Sequence, residues 1–302
     1  MASTRDLKKR ITTVKTTQQT TRAMKLVSAS KLRRAQEAIT AQRPYAKQIS
    51  RLIRVLAKDP GVVEKAALLR INPIKADQKP NVLVVGMSSD RGLCGSFNSN
   101  VIKTTQRWIV ANRSKYSNIE VITVGRRINE IFKSRVSKDY KVVHAEEFGS
   151  KIQIGRAKGL SEILIDAFVS GRVDEVVVIY NEFKNAISQK LVAETLLPVL
   201  SPEVAVGDVT SASPGDYLMK PDAGTLLESL LKKHFVAQVF RMLLESQASE
   251  HGARMSSMEN ATKNAGEMIK KLTLQYNKQR QAGITKELLE IIAGSESQNV
   301  EG

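Results

Sequence analysis

From Asp222 to Ile292 the chain contains no proline, and within that stretch Met255, Met258, Thr262, Ala265, Ile269, Leu272 and Tyr276 recur in alternating steps of three and four. A repeat averaging 3.5 residues keeps one stripe of a helix turned toward a neighbour, so the spacing predicts a coiled-coil seam. Leu244, Ala248 and His251 extend the stripe backwards. At 1.5 Å per residue such a helix is roughly 105 Å long. No compact single-core domain contains a rod of that length, so its stripe needs a second helix.

The start of the chain offers one. Residues 4–58 hold no glycine and a single proline, Pro44, among many Lys, Arg, Ala, Leu and Gln, which favour helix. Ser3 or Thr4 is placed to cap the start, with Asp6 in the first turn. A stripe begins at Leu7, Ile11 and Val14, passes through Gln18 and Thr21, and resumes at Met24, Val27, Leu32, Ala35 and Ile39. Its middle is too polar for the helix to stand alone. The two terminal helices are therefore expected to pair antiparallel, with the remainder of the chain inserted between them. Pro44 is the one point in the first helix where a bend is expected.

The middle of the chain alternates. Strand-like runs at 81–87, 119–124 and 174–180 are separated by helix-like stretches at about 97–112, 126–135 and 157–170. This βαβ rhythm predicts a small, mainly parallel, Rossmann-like sheet. Residues 186–200 read as a further strand, and 201–221, with three prolines and two glycines, as a loop-rich return. The expected division is a coiled-coil helix over 1–58, a linker over 59–80, an α/β domain over 81–200, a loop over 201–221 and a second coiled-coil helix over 222–302. The fold class is a long antiparallel coiled coil with an inserted Rossmann-like α/β domain.

Charge is distributed unevenly. Of a net +17, residues 1–58 carry the largest share, fifteen Lys or Arg against Asp6 and Glu37. A segment that basic must meet something acidic: nucleic acid, anionic lipid or an acidic protein surface. Phosphate binding would use Lys8, Lys9, Arg10, Lys31, Arg33 and Arg34, but no base-reading module accompanies them. A basic coiled-coil nucleic-acid-binding protein is the alternative reading. The single cysteine, Cys94, rules out an internal disulfide and fits a reducing compartment. No apolar run reaches the roughly 18–20 residues of a membrane span, and MASTRDLKKR lacks the apolar segment of a secretory signal.

The stretch SSDRGLCGSFN, residues 88–98, follows the apolar run NVLVVGM and looks like an active-site or phosphate loop. It fits no such motif. A P-loop needs Lys and Ser or Thr after its last glycine, whereas Ser96 and Phe97 follow Gly95; a dinucleotide loop needs three glycines, and only Gly92 and Gly95 are present. Cys94 as a nucleophile needs a general base, yet His144, His234 and His251 are scattered along the chain. No metal-ligand spacing exists. A tight strand-to-helix turn without ligand, and no cofactor, is the expectation.

The segments RITTVKTTQQTTRAMKLVSASKLRRAQ (10–36), SSDRGLCGSFN (88–98), ASEHGARMSSMENATKNA (248–265) and LQYNKQRQAGITKELLEIIAG (274–294) resemble the gamma subunit of F-type ATP synthases, and the resemblance covers essentially the whole chain. It implies a non-catalytic rotor subunit whose coil lies inside the ring of three alpha and three beta subunits. The base of that coil, beside epsilon, stands on the c-subunit ring. Residue by residue, Arg280 and Gln281 match a pair meeting a beta-subunit loop, with Thr285 and Glu287 in the same network. Met24 and Lys25 match the part of the first helix near an acidic beta segment, which makes the acidic partner protein rather than nucleic acid. Arg22, Lys31, Arg33 and Arg34 extend that positive face there or toward the c-ring and epsilon side. Asp216, Tyr217, Leu218 and Lys220 match the stretch at the foot that touches the c ring, although the family often has glutamate where Lys220 stands. Paired cysteines of the chloroplast form are absent. The implied setting is the cytoplasmic face of a bacterial plasma membrane, reached peripherally through the complex alone.

Overall fold

A computed structural model of the chain describes residues 3–57, 61, 66–69, 79–134, 138–185, 188–199 and 222–299, with side chains described as far as Ile292. Helix α1 spans Thr4–Leu56. It opens on a capping box: the Ser3 hydroxyl accepts the Asp6 N–H at 3.2 Å, and the Asp6 carboxylate accepts the Ser3 N–H at 3.2 Å. Pro44 stands inside the helix. Its missing N–H removes one intrahelical bond without ending the element.

The α/β elements follow as β1 (Asn81–Met87), α2 (Phe97–Asn112), β2 (Asn118–Val124), α3 (Arg126–Ser134), β3 (Lys141–Glu146), α4 (Ile154–Val169), β4 (Glu175–Phe183) and β5 (Gln189–Leu197). The strands form one sheet in the order β3-β2-β1-β4-β5. β1 pairs parallel with β2 and β4, β2 parallel with β3, and β5 antiparallel with β4. Val82–Met87 and Ile119–Val124 are buried without a break, as expected of strands covered on both faces. One face packs Val82, Val84, Ile119, Val121, Val177 and Ile179 against Val101 and Ile109 of α2 and Ile128 and Phe132 of α3.

Strand β3 is absent from the sequence reading. Its residues are exposed or half-buried along its whole length, because it lies at the sheet edge, and an extra residue interrupts its register with β2 between Val142 and His144. Neither a continuous apolar run nor a clean alternation marks it. Residues 186, 187 and 200 of the fourth expected strand lie outside the described residues, as does residue 135 of the expected second helix.

Helix α5 spans Ala223–Asn299 and starts on Asp222, whose carboxylate accepts the Thr225 N–H at 2.9 Å. The chain divides into two compact units, residues 1–28 with 255–302, and residues 29–254; α1 and α5 contribute to both. Among the described residues no helix is long and apolar enough to cross a membrane.

Candidate functional site

In the unit formed by residues 29–254, the turn after β1 is tied down at nearly every polar group. Ser88 donates its N–H to the Val124 carbonyl at 2.8 Å, and its hydroxyl accepts the Ile128 N–H at 3.0 Å. Ser89 bonds Asn98 through N–H and hydroxyl, both at 2.9 Å. Asp90 reaches across the sheet edge: Oδ1 accepts the N–H of Arg126 at 2.9 Å and of Phe148 at 2.8 Å, and Oδ2 accepts that of Gly149 at 2.7 Å. Burial pushes the Asp90 carboxyl up, but the three N–H groups and the nearby Arg156 outweigh it and hold it below the usual carboxylate range.

Cys94 is fully buried, and burial raises its thiol. Its sulfur accepts from Asn98 Nδ2 at 3.2 Å and lies 3.8 Å from the Ser89 hydroxyl, with no histidine among these partners. A protonated, buried thiol without a base is a packing group and not a nucleophile. At the crown of the turn Leu93 is 62% exposed with φ at 63°, a conformation unusual for a γ-branched residue.

Helix α5 closes over this turn. From Met242 to Gly252 every residue except Glu245 is buried. Arg254 donates to the carbonyls of Arg91 and Gly92 at 3.2–3.4 Å and pairs with Glu250 at 2.7 Å, each side chain about 10% exposed. Arginine can only donate, so its 3.4 Å approach to His251 Nδ1 requires that nitrogen to accept. Burial first, then Arg254 and Lys31, bring the His251 pKa down to about 4. Farther back, Arg241 holds Glu194 of β5 at 3.0 Å and the Tyr180 hydroxyl of β4 at 3.2 Å. Ser249 donates to the Asn181 carbonyl at 3.1 Å. A groove of about 960 Å³ between α1, α4 and α5 is floored by Ala38, Leu68, Ile165 and Phe240.

In the other unit, residues from α1 and α5 meet in opposite directions. Lys25 Nζ lies 2.7 Å from Glu259 Oε1, the Thr21 and Thr262 hydroxyls are 2.8 Å apart, and Gln18 Nε2 donates to the Thr262 carbonyl at 3.4 Å. A side chain at Gly266 would meet Gln18 Nε2. Of the residues read as a seam, Met258 and Ala265 are buried, and Met255, Thr262, Ile269, Leu272 and Tyr276 are half-buried. On α1 Leu7 is buried and Ile11, Val14, Gln18, Thr21 and Met24 half-buried. From Arg280 to Ile292 every residue is exposed, including Gln281, Thr285 and Glu287. Ile284, Leu288, Leu289, Ile291 and Ile292 are 49–68% exposed.

The remaining residues singled out in the sequence are scattered. Arg33 pairs with Glu37 at 3.4 Å on the exposed face of α1, and Arg34 is exposed beside it. Asp216, Tyr217, Leu218 and Lys220 lie outside the described residues. Sequence reasoning missed the Asp90 clip and the Arg254–Glu250 pair. The signal for the second was an acid and an arginine at i and i+4 in a stretch otherwise reading as seam.

A family model described as ATP synthase matches residues 3–297. The chain is similar to the ATP synthase gamma chain of Anaeromyxobacter sp. (strain Fw109-5), with 45% identity over 300 residues covering 98% of this chain and 99% of the relative. It is similar to that of Geobacter metallireducens at 44% over 299 residues, with the same coverage. Among solved structures, a chain of the Tetrahymena thermophila mitochondrial ATP synthase central stalk and c-ring matches with a TM-score of 0.55 and 25% identity, covering 80% of this chain and 98% of that one. A chain of the Euglena gracilis mitochondrial ATP synthase shares the fold with a TM-score of 0.61 at 20% identity, covering 98% and 94%. This chain belongs to the ATP synthase gamma-chain family.

Proposed function

We propose that the chain is the central rotor shaft of a proton-translocating ATP synthase, coupling rotation of the c ring to ATP synthesis and hydrolysis at the beta subunits. The observation that carries this reading is the described end of α5. Thirteen consecutive exposed residues, with five large aliphatic groups among them, belong on a helix that another protein surrounds. We assign that surrounding protein to the alpha–beta hexamer of the synthase. In this reading α1 and α5 form a long antiparallel coiled coil, and the parallel sheet is a Rossmann-like domain inserted between them, with 1–58 and 222–302 as coil, 59–80 as linker and 201–221 as the foot.

The shaft carries no reacting group. It biases the three beta sites among conformations of unequal ligand affinity, and a differential interaction with those conformations is all that is needed to drive binding and release. One charge crossing 100 mV supplies about 2.3 kcal/mol, so several protons are pooled per ATP and the shaft must hold torsion without unwinding. Arg280, Gln281, Thr285 and Glu287, with Met24 and Lys25, are assigned to beta contacts. Lys25 then has Glu259 of its own chain as a competing partner, at 2.7 Å. Arg33, Arg34, Asp216, Tyr217, Leu218 and Lys220 are assigned to the c-ring and epsilon side. The setting is the cytoplasmic face of the bacterial plasma membrane, peripheral and through the complex.

The test is affinity capture of the tagged chain from detergent-solubilised membranes, with the captured subunits weighed by mass spectrometry. Alpha, beta, epsilon and c subunits are expected together. Capture of nucleic acid without them would overturn the assignment.

A further inference from the structure

The C-terminal edge of a parallel sheet is where phosphate ligands of α/β proteins bind, on backbone N–H groups at a strand–helix turn. In this chain that edge is already filled. Three N–H groups converge on one carboxylate from two separate segments: Arg126 at the start of α3, and Phe148 with Gly149 after β3. The lengths of 2.7–2.9 Å are those of charge-assisted bonds.

The backbone around the carboxylate is shaped for it. Gly125 has φ at 105° and Gly149 at 82°, left-handed conformations that side chains rarely adopt. A side chain at Gly149 would also run into Arg156 Nη1, 2.7 Å away. Two cations flank the cradle: Arg156, and Arg126, whose guanidinium is held by Glu147 at 2.8 Å. Successive N–H groups, left-handed glycines and flanking arginines are the parts of an anion receptor.

We propose that the segments after β2 and β3 form an anion-binding cradle whose anion the β1 turn supplies. The Asp90 carboxylate occupies the position an oxyanion would take, keeps nucleotide phosphate away from the sheet edge, and leaves a site for a small oxyanion when it is removed. This claim does not depend on the rotor assignment, because it concerns the free chain.

The experiment is thermal unfolding of the full-length chain and its Asp90→Ala variant in sodium formate, phosphate, sulfate and chloride at matched ionic strength and neutral pH. Formate replaces the deleted carboxylate; phosphate and sulfate report whether the cradle accepts tetrahedral oxyanions. The variant is expected to melt roughly 5–10 °C below the parent in chloride. It should recover a saturable part of that loss in about 100 mM formate or phosphate, as binding to the folded state alone requires. The parent should respond to formate no more than to chloride. Asp90→Asn fills the same space with a neutral amide and is expected to lose stability without recovering in formate. An alanine variant that folds only when formate is present supports the proposal. One that is folded but indifferent to the anion, or unfolded in every anion, overturns it.

Discussion

The turn after β1 and the last described turns of α5 are opposites. The turn has the composition of a ligand loop, with glycines, serines and a cysteine behind a buried strand, yet its donors and acceptors are paired within the chain. Asp90 satisfies three N–H groups, Asn98 takes the Ser89 N–H and shares its hydroxyl with the Arg91 carbonyl, and Arg254 covers the carbonyls of Arg91 and Gly92. Residues 280–292 have no such composition, and among the described residues their large aliphatic groups stand exposed. In the proposed reading, unmet surface, and not motif-like composition, marks where this molecule works. A site that still needs a ligand leaves groups unsatisfied; one that has become structural does not.

The contrast yields graded expectations. The largest effect belongs to Arg254→Ala, which strands Glu250 in a buried position and removes the donor for two carbonyls. Breaking one side of such a pair costs about 3–5 kcal/mol, to be read from urea unfolding of the full chain, with Arg254→Lys losing less. Next is acidification. The folded-state pKa of His251, about 4, lies below the ordinary 6.5, so its contribution is fully present above pH 6.5. It is lost as the pH falls toward 4, on the order of 3 kcal/mol in all. Replacing His251 with Gln should flatten that part of the stability–pH profile. Smallest in the free chain are Leu288→Ser and Ile291→Ser, which should leave unfolding within about 0.5 kcal/mol. In the assembled complex the same changes should loosen retention of the chain, each removing apolar burial of about 1.5–3 kcal/mol.

Much of the architecture is legible in the residues, for identifiable reasons. Strands buried on both faces leave unbroken runs such as VLVV and VVVI, and the long helices leave stretches with a three-four rhythm, free of proline in α5 and with Pro44 alone in α1. What escapes is whatever depends on distant partners. β3 is an edge strand with polar ends, so KVVHAE carries no period strong enough to mark it. Ser246, Gln247, Ser249 and Glu250 look like a solvent face, yet all are buried, because α5 there is enclosed on all sides. Gln247 and Ser249 find long-range partners, the carbonyls of Ser150 and of Asn181, the latter 68 residues away in sequence, and Glu250 pairs with Arg254. Asp90 likewise meets N–H groups 36 to 59 residues distant. No local rule predicts such meetings. Gln18 and Thr21 read as the polar middle of a stripe, but their side chains hydrogen-bond across to Thr262, which fixes a register that apolar groups alone leave free to slide.

That register supports the most direct test of the shaft. Cysteines at Thr21 and Thr262, whose hydroxyls lie 2.8 Å apart, can be joined by oxidation in the assembled enzyme in membrane vesicles. If α1 and α5 turn together as one axle, the cross-link joins two parts that never move apart. ATP-driven proton pumping should then persist at the level of the reduced enzyme. Pumping that stops on oxidation and returns on reduction would contradict the account.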